Sequence, residues 1–191
     1  TERMLKANWP TEELIQRCLD QDRLAQKEVY QTLYGKMLAV GRRYLRDPKE
    51  VAEVLNSSFL TVFQKLPDYH RIDNFEAWVR RIVINKAIDH LRYHKRFREE
   101  AREEVPTTSD RIATNAGDEA LRMQELYQLI DALPPMARAV FNLYAIDGFA
   151  HKEIAEKLEI SAATSRWHLS AARGQLQESL KKNEAFHVGV G

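Results

Sequence analysis

The sequence predicts an all-α protein: two small helical domains joined by an acidic linker, the second containing a helix-turn-helix. Three observations predict this. Only seven glycines and six prolines occur in 191 residues, so few positions break a helix. Apolar residues recur with a period of about 3.6, and strand-like alternation is absent. The sign of the charge also reverses in mid-chain. Arg80 to Arg98 holds seven basic residues against one acid, Asp89, whereas Glu99 to Glu119 holds seven acids against Arg102 and Arg111.

The elements follow in order. A short helix is expected from about Thr11 to Leu19. Tyr30, Leu33, Tyr34, Met37, Leu38, Gly41, Tyr44 and Leu45 form the apolar stripe of a second helix, ended at Asp47-Pro48. There Asp47 is a candidate N-cap, Pro48 suits the first helical position and Glu50 completes a D-x-x-E cap. In the third helix Val51, Val54, Leu55, Phe59, Val62, Phe63 and Leu66 face one way, and Pro67 stops it. After a polar loop, a second D-x-x-E start at Asp73 and Glu76 opens a helix whose apolar face carries Phe75, Trp78, Val79 and Ile82. Trp78 is expected in the core. This helix runs into the basic stretch, which sets the first domain at residues 1–98.

Residues 99–119 combine acids with Pro106, Thr107, Thr108, Ser109, Asn115 and Gly117 and hardly any large apolar residue, as a linker does. Beyond it, Leu126, Leu129, Ile130 and Leu133 make one helix, closed by Pro134-Pro135. Met136, Ala139, Val140 and Leu143 make the next, before Gly148. Ile154, Ala155 and Leu158 belong to a third helix, and Leu169, Ala172, Leu176 and Leu180 to a fourth that Ser161 caps. The turn Glu159-Ile160-Ser161 gives helix-turn-helix spacing. The second domain is therefore set at residues 120–184, with a tail over 185–191.

Composition narrows the function. Hydrophobic residues at 44% suffice for a core, and 30% charged residues exclude neither duplex nor protein partners, since the net charge is only +1. No run approaches the roughly 18 apolar residues of a membrane helix, and Thr1 to Pro10 lacks a signal-peptide core, so a cytoplasmic chain without membrane insertion is expected. Cys18 stands alone, which rules out an intramolecular disulfide and a cysteine-rich zinc module. No Gly-rich phosphate loop, G-x-S-x-G elbow or Cys/His pair points to catalysis. His90 and His94 lie four apart beside Asp89, but the sequence offers no third ligand, so neither an enzyme, a metal site nor a cofactor is expected.

In a helix-turn-helix the second helix enters the major groove. Its first turns here carry Thr164, Ser165, Arg166 and His168, where Arg can read guanine bidentately and hydroxyls can meet bases or phosphates; Arg173, further along, suits backbone phosphate. Trp167 can pack on the neighbouring helix or touch a thymine methyl, and packing is the expectation.

Three stretches go beyond a generic pattern: VAEVLNSSFLTVFQKL at Val51 to Leu66, FEAWVRRIVINKAIDHLRYHKR at Phe75 to Arg96, and LPPMARAVFNLYAIDGFAHKEIAEKLEISAATSRWHLSAARGQL at Leu133 to Leu176. In order and spacing the chain resembles the extracytoplasmic-function (ECF) group of bacterial sigma factors, group 4 of the sigma-70 family, over almost its whole length. The resemblance implies two domains, sigma regions 2 and 4. These bind core RNA polymerase through its beta and beta-prime subunits and recognise promoter elements about 35 and about 10 base pairs upstream of the start, for a stress or envelope regulon. It implies polymerase docking by Glu50, Glu53, Asn56 and Ser57, the last standing where the family usually has an acid. It also implies a pocket for a flipped base of the minus-10 element, built from the loop Tyr69, His70, Arg71, Ile72, Asp73 and Asn74 and from Asn85. Lys86, Arg92, Lys95 and Arg96 would hold phosphates of that element, with Arg80 and Arg81 nearby. For the minus-35 element the implied set is Ser161, Thr164, Ser165, Arg166, His168 and Arg173. The linker would thread the polymerase towards the RNA exit path, and an anti-sigma factor or response regulator would control the whole. The alternative is a stand-alone helix-turn-helix regulator, whose first domain would have to be an effector or receiver fold rather than a basic helical unit.

Overall fold

The computed structural model describes residues 9–69, 74–101 and 126–188, with the backbone alone over 95–101 and 182–188. Every regular element among the described residues is helical, and none of these helices is long and apolar enough to cross a membrane. The chain divides into two compact units between Tyr93 and His94.

In the first unit α1 spans Glu12–Leu19, with the Thr11 hydroxyl accepting the Leu14 N–H at 3.2 Å. Asp22 then starts α2 (Arg23–Arg42). One carboxylate oxygen accepts the Leu24 and Ala25 N–H groups at 2.8 and 3.3 Å, while the other takes the Arg17 guanidinium at 2.8 Å. That cap ties the end of α1 to the start of α2. Along α2 the buried residues Ala25, Val29, Leu33, Met37, Val40 and Gly41 keep the helical period. Gly41 matters for its size, because a Cβ there would sit 3.1 Å from Cγ1 of Val51 on the next helix.

Helix α3 (Pro48–Lys65) starts as expected, with Asp47 accepting the Lys49 N–H at 2.8 Å and Pro48 in the first turn. It buries Val51, Val54, Leu55, Ser58, Phe59 and Val62 and passes into a short 3₁₀ turn, Leu66–Asp68. Helix α4 (Phe75–Ala101) is capped by Asn74, whose side chain accepts the Glu76 N–H at 2.9 Å. The expected cap, Asp73, lies outside the described residues. Two lines of α4 are buried, Phe75-Val79-Val83 and Ile84-Ala87-Ile88, while Trp78 and Ile82 are only half-buried. The helix also continues through Ala101, three residues into the segment read as linker.

The second unit opens with helical residues 126–131 (α5), followed by α6 (Pro135–Phe141). The helix expected to continue to Leu143 instead widens into a π-turn, Asn142–Ile146, and Gly148 closes it at φ 77°. Next come α7 (His151–Leu158) and α8 (Ala162–Val188), the latter continuing into the residues read as tail. Ile130, Leu133, Ala137, Ala172 and Leu176 form one core, so α8 packs back on α5 and α6. Glu159 ends α7 in the left-handed region at φ 54°, its N–H and that of Ile160 returning to the Ala155 carbonyl. The three-residue turn is therefore a true helix stop.

Candidate nucleic-acid interface

The outer helix of the second unit is built from its cap upward. Ser161 Oγ accepts the Thr164 N–H at 2.9 Å and lies 2.8 Å from Thr164 Oγ1. Both side chains therefore hold the start of α8, Ser161 as the expected cap. Ser165 departs further from expectation. It is fully buried, and its hydroxyl sits 2.9 Å from His151 Nδ1 on α7, locking the two helices of the motif together. Buried polar groups need such partners, and here the pairing removes Ser165 from any solvent-facing surface.

His151 in turn stacks on Tyr144, with ring centroids 4.6 Å apart and 21° between planes, and the Arg173 guanidinium lies 5.6 Å over the same tyrosine ring. Arg173 is exposed but already docked on an aromatic face. The outer face of the first turns consists of Ala163, Arg166, Trp167 and Ser170, with His168 half-buried beside them. Trp167 does not pack on the neighbouring helix as expected. It is 65% exposed, touching His168 edge-on at 4.9 Å. A tryptophan this exposed beside an arginine is available to a partner, whereas a core tryptophan is not.

The first unit offers a different surface. Tyr69 packs against Phe75 and Trp78 at 5.2 and 5.1 Å, and Trp9 meets Phe75 edge-on at 5.8 Å. This aromatic cluster sits at the start of α4. From it, Trp78, Arg81, Asn85, Asp89 and Arg92 follow one another at helical spacing along one face, with Arg81 and Asn85 exposed. Arg92 donates to Asp89 at 2.6 Å, a surface pair that exchanges at little cost. Lys86 is half-buried. His70, Arg71 and Asp73 lie outside the described residues, as do the side chains of Lys95 and Arg96.

On α3 the residues read as a docking face divide. Glu53, Asn56 and Ser57 are exposed together, with the Tyr30 hydroxyl 3.5 Å from Asn56 Oδ1. Glu50 is turned away from them: its carboxylate is 3.5 Å from His90 Nε2 on α4. One residue of this face escaped the sequence reading. Leu60, 61% exposed, stands one turn beyond Asn56 and Ser57, and the available signal was a leucine off the apolar stripe of its own helix.

Comparison with known proteins follows the same division. The family described as Sigma-70 region 2 matches residues 29–97, and that described as Sigma-70, region 4 matches residues 123–176. The chain is 29% identical over 142 residues to the ECF RNA polymerase sigma factor SigE of Mycolicibacterium smegmatis, covering 71% of this chain and 54% of that protein. It is 25% identical over 188 residues to the RNA polymerase sigma-H factor of Pseudomonas aeruginosa, covering 89% and 93%. It thus spans about half the length of the first relative and nearly all of the second. In fold it is similar to the sigma factor RpoE of Bartonella quintana, solved with the anti-sigma factor NepR: TM-score 0.55 and 18% identity, over 81% of this chain and 96% of that one.

Proposed function

The chain belongs to the sigma-70 family, in its extracytoplasmic-function group, and from that premise we propose that it directs core RNA polymerase to specific promoters without itself catalysing a reaction. The observation that carries this reading is the pairing of two unlike surfaces on separate units. One is an outward Arg166-Trp167 face on a helix-turn-helix. The other is an aromatic cluster continued by exposed Arg81 and Asn85.

The division of labour follows from the chemistry. Duplex DNA shows base edges in a major groove wide enough for α8, where Arg166 can donate twice to a guanine and the Trp167 ring can lie on a thymine methyl. Arg173 and His168 hold phosphates near its middle, and Ser161 and Thr164 act by fixing the helix start. Melting the minus-10 element needs a base taken out of the stack at a cost of a few kcal/mol. An aromatic surface at Tyr69 and Trp78 and an amide at Asn85 are the groups that offset such a cost, by stacking and by bonding a base edge. Lys86, Arg92, Lys95 and Arg96 add phosphate contacts that weaken as salt rises. In the same reading His70, Arg71 and Asp73 add contacts to the minus-10 element, and Asn74 caps α4. Polymerase docking falls to Glu53, Asn56, Ser57 and Leu60, a polar patch around one apolar anchor, against the beta-prime subunit, with the beta subunit meeting the second unit. The reading places the protein in the cytoplasm, under an anti-sigma factor or response regulator, serving a stress or envelope regulon.

Run-off transcription with core polymerase, with and without the chain, on duplex and premelted promoter templates tests this. Promoter-dependent RNA only when the chain is present is expected. Core polymerase giving the same output alone would overturn the reading, and sequence-specific duplex binding without transcription would favour a stand-alone regulator.

A further inference from the structure

On α4, Val83, Ala87, His90 and His94 succeed one another at spacings of three and four, so the two histidines continue a line whose first members are buried. Glu50 stands likewise in the first turn of α3, four residues before the buried Val54. The two lines converge. Glu50 Oε1 lies 3.5 Å from His90 Nε2, and one ligand atom from each of Glu50, His90 and His94 falls within 4.8 Å of the others. His94 is the first residue past the boundary between the units, but it sits one turn along the same unbroken helix as His90, which sets its position. The sequence supplied two histidines without a third ligand; the packing of α3 on α4 supplies the carboxylate.

We infer that Glu50, His90 and His94 form a binding site for one divalent transition-metal ion. Two imidazole nitrogens and one carboxylate oxygen suit Zn²⁺, whereas Ca²⁺ and Mg²⁺ require oxygen ligands throughout. Tetrahedral Zn²⁺ holds its ligand atoms about 3.3 Å apart, close to the Glu50–His90 spacing already present, and rotation of the half-buried His94 side chain brings in the third ligand. The Glu50 and His90 side chains retain 28% and 17% exposure, which leaves water a fourth position. An ion there pins the first turn of α3 to the far part of α4 by coordination, adding to the Glu50–His90 contact between the two helices. The inference rests on this geometry and stands independently of promoter binding.

The test uses the full chain without a histidine tag, stripped with chelator and titrated with Zn²⁺ by calorimetry and with Co²⁺ by visible absorption. One ion per chain, the intense visible bands of four-coordinate Co²⁺, and a thermal midpoint that rises with Zn²⁺ concentration are expected. His94→Ala and Glu50→Gln, each checked for retained helicity by circular dichroism, should weaken Zn²⁺ binding at least about tenfold. Absence of stoichiometric binding to the unaltered chain, or binding unchanged in both variants, would overturn the site and reduce the cluster to a histidine–carboxylate contact.

Discussion

Helices α4 and α8 are both 27 residues long and both were read as DNA-facing, yet they use their polar residues differently. On α8 the polar residues of the opening turns are largely spent on the protein itself: Ser161 and Thr164 on the cap, Ser165 on His151. On α4 the mid-helix Asn85 and Arg81 stay exposed. Hydroxyls at a helix start are short and lie beside unpaired N–H groups, so the helix recruits them first. In mid-helix the neighbouring N–H groups are already bonded along the helix, so a side chain there is not drawn into a cap.

The largest expected effect tests the outer face of α8. Arg166→Ala should weaken binding to duplex carrying the minus-35 element by about 1–3 kcal/mol, read by anisotropy at fixed salt, while the melting curve stays in place. Ser165→Ala should do the reverse. It should lower the stability of the second unit by about 1–2 kcal/mol in a denaturant titration, because the half-buried His151 loses its partner, and base preference should not move. Were Ser165→Ala instead to change base preference without cost in stability, the contrast between the two helices would fail.

On α4, Asn85→Ala should slow promoter opening on duplex templates by about tenfold, or about 1.4 kcal/mol, and far less on premelted ones. Equal rates on both templates would remove its pocket role. Trp167→Ala sharpens the comparison from the side of stability. A core tryptophan costs about 3–5 kcal/mol on truncation, but at 65% exposure the loss should stay within about 0.5 kcal/mol, with weakened DNA binding as the principal effect.

The smallest effect is one of pH and concerns the first unit. The hydrogen bond from Arg17, followed by the Leu24 N–H, holds the Asp22 carboxyl below the usual aspartate range. A folded value below the unfolded one means that the contribution is present above the ordinary aspartate pKa and is lost as pH falls through the depressed value. Acid titration of unfolding should therefore show a shallower acid limb in Asp22→Asn than in the unaltered chain. Identical limbs would show that the α1–α2 joint does not depend on this charge.

Much of the site was legible before the fold. The Asp47-Pro48 start, the Glu159-Ile160-Ser161 turn and the place of Arg166 on the outer helix follow from spacing and side-chain chemistry, because each depends on residues within one or two turns, whereas Asn85 is singled out by the family resemblance alone. The misreadings have a common cause. Packing on the neighbouring helix suits a large apolar residue such as Trp167, yet the buried line of α8 runs through Ser165, Leu169, Ala172 and Leu176 and leaves Trp167 outside it. Leu60 was passed over because an isolated leucine off the stripe carries no periodic signal. For Glu50 the resemblance implies docking, and its contact with His90, forty residues away, cannot be read from the spacing of its own helix.

The sequence by itself determined the helical class, the order of the helices, the caps at Asp47 and Ser161 and the boundary between basic and acidic stretches, since propensity, capping and period are local properties that a linear pattern records. Only the tertiary structure decided what the polar side chains touch: Ser165 meets His151, Arg173 lies over Tyr144 while staying exposed, and Glu50 reaches His90. Each of these pairings joins residues on different helices. A side chain's availability is set by what packing brings within about 4 Å of it, and that distance is not written in the spacing of residues along one helix.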